Sequence, residues 1–280
     1  MKLIKPLFEI IKQPSGIEGI YKMIELAGRT AYKSEHLITE NSAKEFTERM
    51  IKLNHGAPLE HGTIYLKLVG DEKMSEKYQK NPYSKVVFKY PKDDGLPNIY
   101  CIPTHYITTN YRVLIEHNWV EDLKYICEPT EYHEKRICVR FILSRSIAQE
   151  YTRHRVFSFL MESQRYCNYS KDKFNNEVTF IISPCVTTNC QEGPTIADIE
   201  WSNSLLASEK SYFKLLEQGW KPQEAREVLP NATKTELVMT GFISDWEHFF
   251  KLRCSDFAHP QAKELAEPLK EEFIKIGYLK

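Results

Sequence analysis

From Arg153 to Tyr166 the chain reads Arg-His-Arg-Val-Phe-Ser-Phe-Leu-Met-Glu-Ser-Gln-Arg-Tyr. Three arginines, a histidine, two serines, a glutamate and a tyrosine are threaded through apolar residues. Phe157, Phe159 and Leu160 argue against a solvated basic turn, because large apolar side chains go to the interior. Any fold must bury one set of these side chains while presenting the other. Arginine carries a planar five-donor fork that grips phosphate or carboxylate in bidentate fashion. An Arg-x-Arg pair beside serine hydroxyls therefore reads as a pocket for an anionic ligand rich in hydrogen-bonding groups.

That positive field is local. The 38 basic and 38 acidic residues cancel, so the composition gives no general attraction to nucleic acid. The 280 residues suffice for one large domain or two small ones. Seven cysteines, Cys101, Cys127, Cys138, Cys167, Cys185, Cys190 and Cys254, are scattered with no Cys-x-x-Cys pair. Neither a disulfide framework nor a zinc site is indicated. The first residues hold too short an apolar run for a signal peptide, and no segment reaches the roughly 20 apolar residues that span a bilayer. A soluble cytoplasmic chain is expected, with no membrane partner.

The periodicities predict an α+β fold, a single domain with a mixed, largely antiparallel sheet flanked by helices. Leu3 to Ile11 suits an edge strand. Ser15 caps a helix to about Ala31, whose apolar face is Ile17, Ile20, Tyr21, Ile24 and Ala27. A second helix runs from Ser42 to Leu53. Pro58, Gly56 and Gly62 place His55 to Gly62 in a loop, and Thr63 to Val69 reads as a strand. The polar stretch from about Gly70 to Pro103 looks like a peripheral insertion. Ile107 to Trp119 has helical spacing, and Glu134 to Thr152 reads as the strongest helix, with Ile137, Phe141, Ile147 and Tyr151 facing one core. Val178 to Ile182 is a buried strand. A helix from Ile196 to Gln218 is closed by Gly219. Pro222 opens a short helix carrying Arg226. Thr233 to Ile243 reads as a strand, followed by a capping box at Ser244 to Glu247 that opens a helix through Arg253. A last helix starts at Pro260.

Four segments together resemble the flavin-dependent thymidylate synthases. In that family Arg-His-Arg is followed after seven residues by serine, as Arg153-His154-Arg155 is by Ser163, with Arg165-Tyr166 continuing the pattern. His55 to His61 is similar to the family's His-x-x-x-x-Glu-His element. Arg226 lies in Ala-Arg-Glu-Val-Leu-Pro, similar to Arg-x-Val-Leu-Pro. Arg253 ends Phe-Phe-Lys-Leu-Arg, with His259 and Gln261 downstream. The likeness spans about residues 16 to 275 and leaves Gly70 to Ile137 poorly matched.

The resemblance implies reductive methylation of dUMP to dTMP. Methylenetetrahydrofolate gives the carbon, and NADPH reduces an FAD that then supplies a hydride. It also implies a homotetramer with active sites at subunit interfaces. FAD is held there without a Gly-x-Gly-x-x-Gly fingerprint, which this chain lacks. The implied cofactor set is His55, Glu60, Arg153, His154, Arg155, Val156 and His248. The implied dUMP set is Arg153, Glu162, Ser163, Gln164, Arg165, Arg226 and Arg253. Arg253 would be the catalytic group, stabilising negative charge at the N3/O4 edge of the uracil. The family uses no enzyme nucleophile. Here no cysteine lies within the motif, and no histidine or lysine is placed by sequence to activate Ser163.

Departures exist. Leu160-Met161 stand where many members carry Asn-Glu, and the acid appears one place later as Glu162. Either Glu162 substitutes through a shift of the loop, or the local contacts differ. Ala57 stands where a hydroxyl is common, and Phe242 and Ser244 replace a polar pair. Taken alone, His55, Glu60 and His61 suit a hydrogen-bonded loop, Arg226 a helix surface, and Arg253 the favourable C-terminus of a helix. Two other functions fit the residues: an FAD-binding, NADPH-oxidising relative that does not methylate, or a nucleic-acid-binding protein using the Arg153 patch.

Overall fold

The computed structural model describes residues 1–90, 102–171, 174–186 and 193–279. Its centre is a four-stranded antiparallel sheet in the order β2-β6-β9-β7, formed by Leu7–Ile11 (β2), Arg136–Ser144 (β6), Lys234–Phe242 (β9) and Ser158–Met161 (β7). The fold is α+β, with antiparallel pairing dominant. The β structure is divided among three sheets rather than gathered in one. Lys2–Ile4 (β1) pairs in parallel with Thr179–Ile181 (β8), and Thr63–Val69 (β3), Thr104–Asn110 (β5) and Lys85–Lys89 (β4) form a three-stranded sheet in the order β3-β5-β4. The single amino-terminal strand expected is therefore two. They part at Lys5-Pro6, where proline has no N–H to give to a ladder.

The expected helix over Glu134 to Thr152 is corrected by β6 and the short helix α6 (Arg145–Tyr151). Ile137, Val139, Phe141 and Leu143 alternate onto one face, as strand geometry demands. The residues between them pack on the other face, where Cys138 meets Met23 and Ala27. The strand ends because Ser144 caps α6, its hydroxyl accepting from Ile147 N at 3.4 Å. The same change occurs at Ile107 to Trp119. The β-branched run Ile107-Thr108-Thr109 stays in β5, and Asn110 caps α5 (Tyr111–Glu116) by accepting from Val113 N at 3.2 Å.

Elsewhere the expected helices form. α1 (Gly16–Tyr32) begins after Ser15, whose side chain nonetheless makes no capping bond. α2 (Ser42–Lys52) follows, and His55 to Gly62 is not all loop, since Gly56–Leu59 makes one helical turn, α3. Within the expected excursion, Glu72–Gln79 (α4) buries Met74 and Tyr78 in a core shared with α1, α2 and β3. Lys85–Lys89 of the same stretch is β4, and residues 91–101 lie outside the described residues. Arg136, where β6 begins, ties the central sheet to the start of β3 through its guanidinium. Nη1 donates to Glu60 O at 3.0 Å and Thr63 Oγ1 at 3.4 Å, and Nη2 to Ser158 Oγ at 3.0 Å.

Ile196–Glu217 (α7) and Pro222–Ala225 (α8) pack with β8, Arg226 continuing in a 3₁₀ turn to Val228. Ile243–Arg253 (α9) is capped at Phe242, not Ser244, because the Asp245 carboxylate accepts from Phe242 N at 3.0 Å. Pro260–Ile276 (α10) then closes the largest core, where Trp246, Phe249, Phe250 and Phe273 meet Phe141 and Tyr151. Each such aromatic contributes up to about 3 kcal/mol by leaving water. The polar tips in this core are satisfied: Tyr151 OH donates to Ala262 O at 2.8 Å and Trp246 Nε1 to Ile137 O at 3.1 Å. Gly241 is required here, since a Cβ on it would lie 2.4 Å from the Phe157 ring. The described cysteines form no disulfide with one another, and Cys101 and Cys190 lie outside the described residues.

Candidate functional site

The Arg153 motif straddles β7, the edge strand of the central sheet. Its buried members hold it in place. Phe157 packs on Trp246 and Phe249, and Ser158 bonds to Arg136. The remaining side chains gather in two groups at the two ends of β7, separated by roughly 13 Å of strand.

At the start of β7, Arg153, Arg155 and Val156 are exposed, whereas His154 is buried. Arg253 closes this end. Its Nε donates to His154 Nε2 at 3.0 Å, its Nη1 to Glu150 Oε2 at 2.8 Å and its Nη2 to the Glu150 carbonyl at 2.7 Å. Because Nε2 accepts, His154 is the neutral tautomer with its proton on Nδ1. Burial, and then Arg253 and His248 nearby, push its pKa down to about 4. The His248 ring lies 6.2 Å from that of His154.

At the far end of β7, Glu162 N donates to Glu236 O at 2.8 Å and Ser163 N to Ala31 O at 3.0 Å, which fixes the turn. Met161 is still in the strand, paired with Leu237, so the acid that points into this group is Glu162. Its carboxylate is 1% exposed and takes Lys234 Nζ at 2.7 Å, while its Oε1 has no partner among the described residues. Behind it lies Glu236, which binds Lys234 at 2.6 Å, Lys33 at 2.7 Å and Arg140 at 2.7 Å. Burial alone would raise the Glu236 pKa, but Lys234 and Lys33 hold it down to about 2. Glu162, Lys234 and Tyr169 line a cavity of about 210 Å³ that reaches Lys2 and Thr179. Gln164 is buried, and Arg165 is exposed. Arg226 is half-buried and reaches this group through Arg145, whose guanidinium feels both Arg226 and Glu162.

The third element, α3, packs against β7. His55 is exposed, and Glu60 accepts from Arg112 at 2.5 Å. His61 faces inward, its Nδ1 2.8 Å from Thr240 Oγ1, and burial followed by Arg136 lowers its pKa to about 3.

One chain therefore brings Arg153, His154, Arg155, Val156, His248 and Arg253 to one end of β7. Glu162, Ser163, Gln164, Arg165 and Arg226 come to the other, and His55 and Glu60 flank α3. Arg253 does not meet Glu162 within the chain. Sequence reasoning missed Glu150, Arg145, Lys234 and Glu236. Lys234 and Glu236 were within reach, since residues two apart on a strand share a face. Among the described residues, no carboxylate lies within ion-pair distance of Arg153, Arg155, Arg165 or Arg226. Such a set of unpaired forks suits ligands carrying phosphate.

Comparison with known proteins bears on this arrangement. A family model described as thymidylate synthase complementing protein matches residues 131–276. A flavin-dependent thymidylate synthase of Pyrococcus abyssi is 29% identical over 132 residues, covering 47% of this chain and 51% of that one. A probable flavin-dependent thymidylate synthase of Paramecium bursaria Chlorella virus 1 is 32% identical over 136 residues, covering 47% and 63%. The chain thus spans about half to just under two thirds of the length of these relatives. The crystal structure of a UMP/dUMP methylase from Streptomyces cacaoi bound with 5-Br dUMP aligns with 98% of this chain and 93% of its own, at 15% identity and a TM-score of 0.44.

Proposed function

The chain belongs to the thymidylate synthase complementing protein family, and from that premise we propose that it converts dUMP to dTMP with FAD as hydride carrier. Methylenetetrahydrofolate would donate the carbon and NADPH the reducing equivalents. The observation that carries the reading is the set of unpaired arginines around β7 in a chain of zero net charge. Two phosphate-bearing ligands account for so many uncompensated guanidiniums.

The residues present suit a flavin nucleotide. Arg153 and Arg155 offer exposed forks for its pyrophosphate, Val156 an exposed apolar surface, and His154, His248 and His55 further polar groups. When bound, the flavin supplies the hydride. The remaining tasks fall to the chain's own side chains. Ser163, Gln164 and Arg165 would hold the nucleotide with Glu162, and Arg226 would grip its phosphate. Arg253 would face the N3/O4 edge of the uracil and stabilise the charge that develops there. Because Arg253 and Glu162 lie at opposite ends of β7, the reading takes each site to be shared between subunits of a homotetramer. No nucleophile is assigned. Cys167 is 1% exposed, with its thiol inside the fold.

The test is an absorbance spectrum of the purified, FAD-reconstituted protein, followed by anaerobic NADPH with and without dUMP. Flavin bands that bleach with NADPH, and faster with dUMP present, are expected. A protein that takes up no flavin would overturn the proposal.

A further inference from the structure

The hydrogen bonds of Arg253 carry a consequence beyond that assignment, and it rests on the proposed function. All three guanidinium nitrogens are already donating within the chain: to an imidazole nitrogen, a carboxylate and a backbone carbonyl. Two of these acceptors belong to Glu150. The side chain of Arg253 is only 16% exposed and that of Glu150 32%. Each is therefore partly withdrawn from water, and their attraction is weakly screened. An arginine meant to stabilise developing charge on a ligand is, in this state, neutralised by a neighbour.

We infer that Glu150 is a positioning residue that occupies the Arg253 guanidinium in place of the substrate and that the pyrimidine edge of dUMP must displace it. The carbonyl of Glu150 and His154 Nε2 fix the plane of the guanidinium. The carboxylate is the removable member, since it sits on a flexible side chain whose Oε1 makes no bond to Arg253. Glu150 thus has two opposed effects. It pre-orients the guanidinium, and it competes with the ligand for the charge. A glutamine at this position would keep an oxygen acceptor in the same place and remove only the charge.

The test is a double-mutant cycle on the FAD-loaded protein, with dUMP binding measured by calorimetry for the wild type, E150Q, R253Q and E150Q/R253Q. A bond to an ionised acceptor is roughly twice as strong as one to a neutral acceptor, so E150Q is expected to lower the dUMP dissociation constant about fivefold. In turnover the same variant should lower KM for dUMP by a similar factor while kcat falls by no more than about twofold. The gain should vanish in the R253Q background. A merely structural glutamate would give lower thermal stability and lower kcat in E150Q, with no tightening. Unchanged or weaker dUMP binding by E150Q, or an equal gain without Arg253, overturns the inference and leaves the proposed function standing. A wild-type protein that does not bind dUMP overturns both.

Discussion

Glu236 is the most quantitative point in the structure. Its carboxylate is 3% exposed and gathers Lys33, Lys234 and Arg140, and through Lys234 it anchors Glu162 at the end of β7. Replacing it by glutamine keeps the shape and leaves three cations without their common anion. Its pKa drops from 4.5 to about 2 on folding, which corresponds to about 3 kcal/mol of stability at neutral pH. The sign follows from the depressed value. The unfolded chain takes up the proton first, so the contribution is complete above about pH 5 and is lost as pH falls towards 2. At pH 3.5 about 2 kcal/mol should remain. Urea unfolding of the wild type and E236Q at both pH values measures this. With a slope of about 3 kcal/mol per molar urea, the midpoints should differ by about 1 M at pH 7 and by less at pH 3.5. A difference under about 1 kcal/mol at pH 7, or one that does not narrow on acidification, would refute the hub.

Two further expectations concern the start of β7. The His154 imidazole should stay neutral from pH 8 to 5 and titrate near 4, visible as its ring ¹⁵N shifts in NMR, with R253Q moving the midpoint upward. Because the folded form resists the proton, this histidine costs stability as pH falls from its ordinary 6.5 towards 4; a ring that titrates at 6.5 in the folded protein would contradict the geometry. Gly241→Ala places a methyl group 2.4 Å from the Phe157 ring and should destabilise by about 1–3 kcal/mol, read as a lower melting temperature. An unchanged melting temperature would mean that Phe157 is not seated on β9 as described.

How far the sequence foretold this molecule depended on whether a segment had one exposed face. Thr63 to Val69, α1, α2, α7 and α10 each have a solvent side; Gly219 and Pro260 punctuate α7 and α10 as expected, whereas Ser15 precedes α1 without a side-chain capping bond. The segment from Glu134 to Thr152 misled because it has none. β6 is covered on both faces, and Ile137 and Phe141, four residues apart, satisfy both the helical and the strand period. The division into three sheets was equally hidden, since strand partners are chosen by tertiary contacts. Among site residues, the Arg153 run was legible because it mixes charge with aromatics at fixed spacing. Glu150 was not, because nothing local tells a helix-surface glutamate from one that meets an arginine 103 residues away. It is Glu162, not Met161, that turns inward and meets Lys234.

The central claim is chemical, and product analysis tests it most directly. The protein should be incubated anaerobically with dUMP, methylenetetrahydrofolate, NADPH and FAD, and the nucleotides separated by chromatography and weighed by mass spectrometry. The account predicts dTMP, its formation abolished by omitting FAD and lowered at least about a hundredfold by Arg253→Ala. NADPH consumption with no dTMP at any enzyme concentration would contradict it.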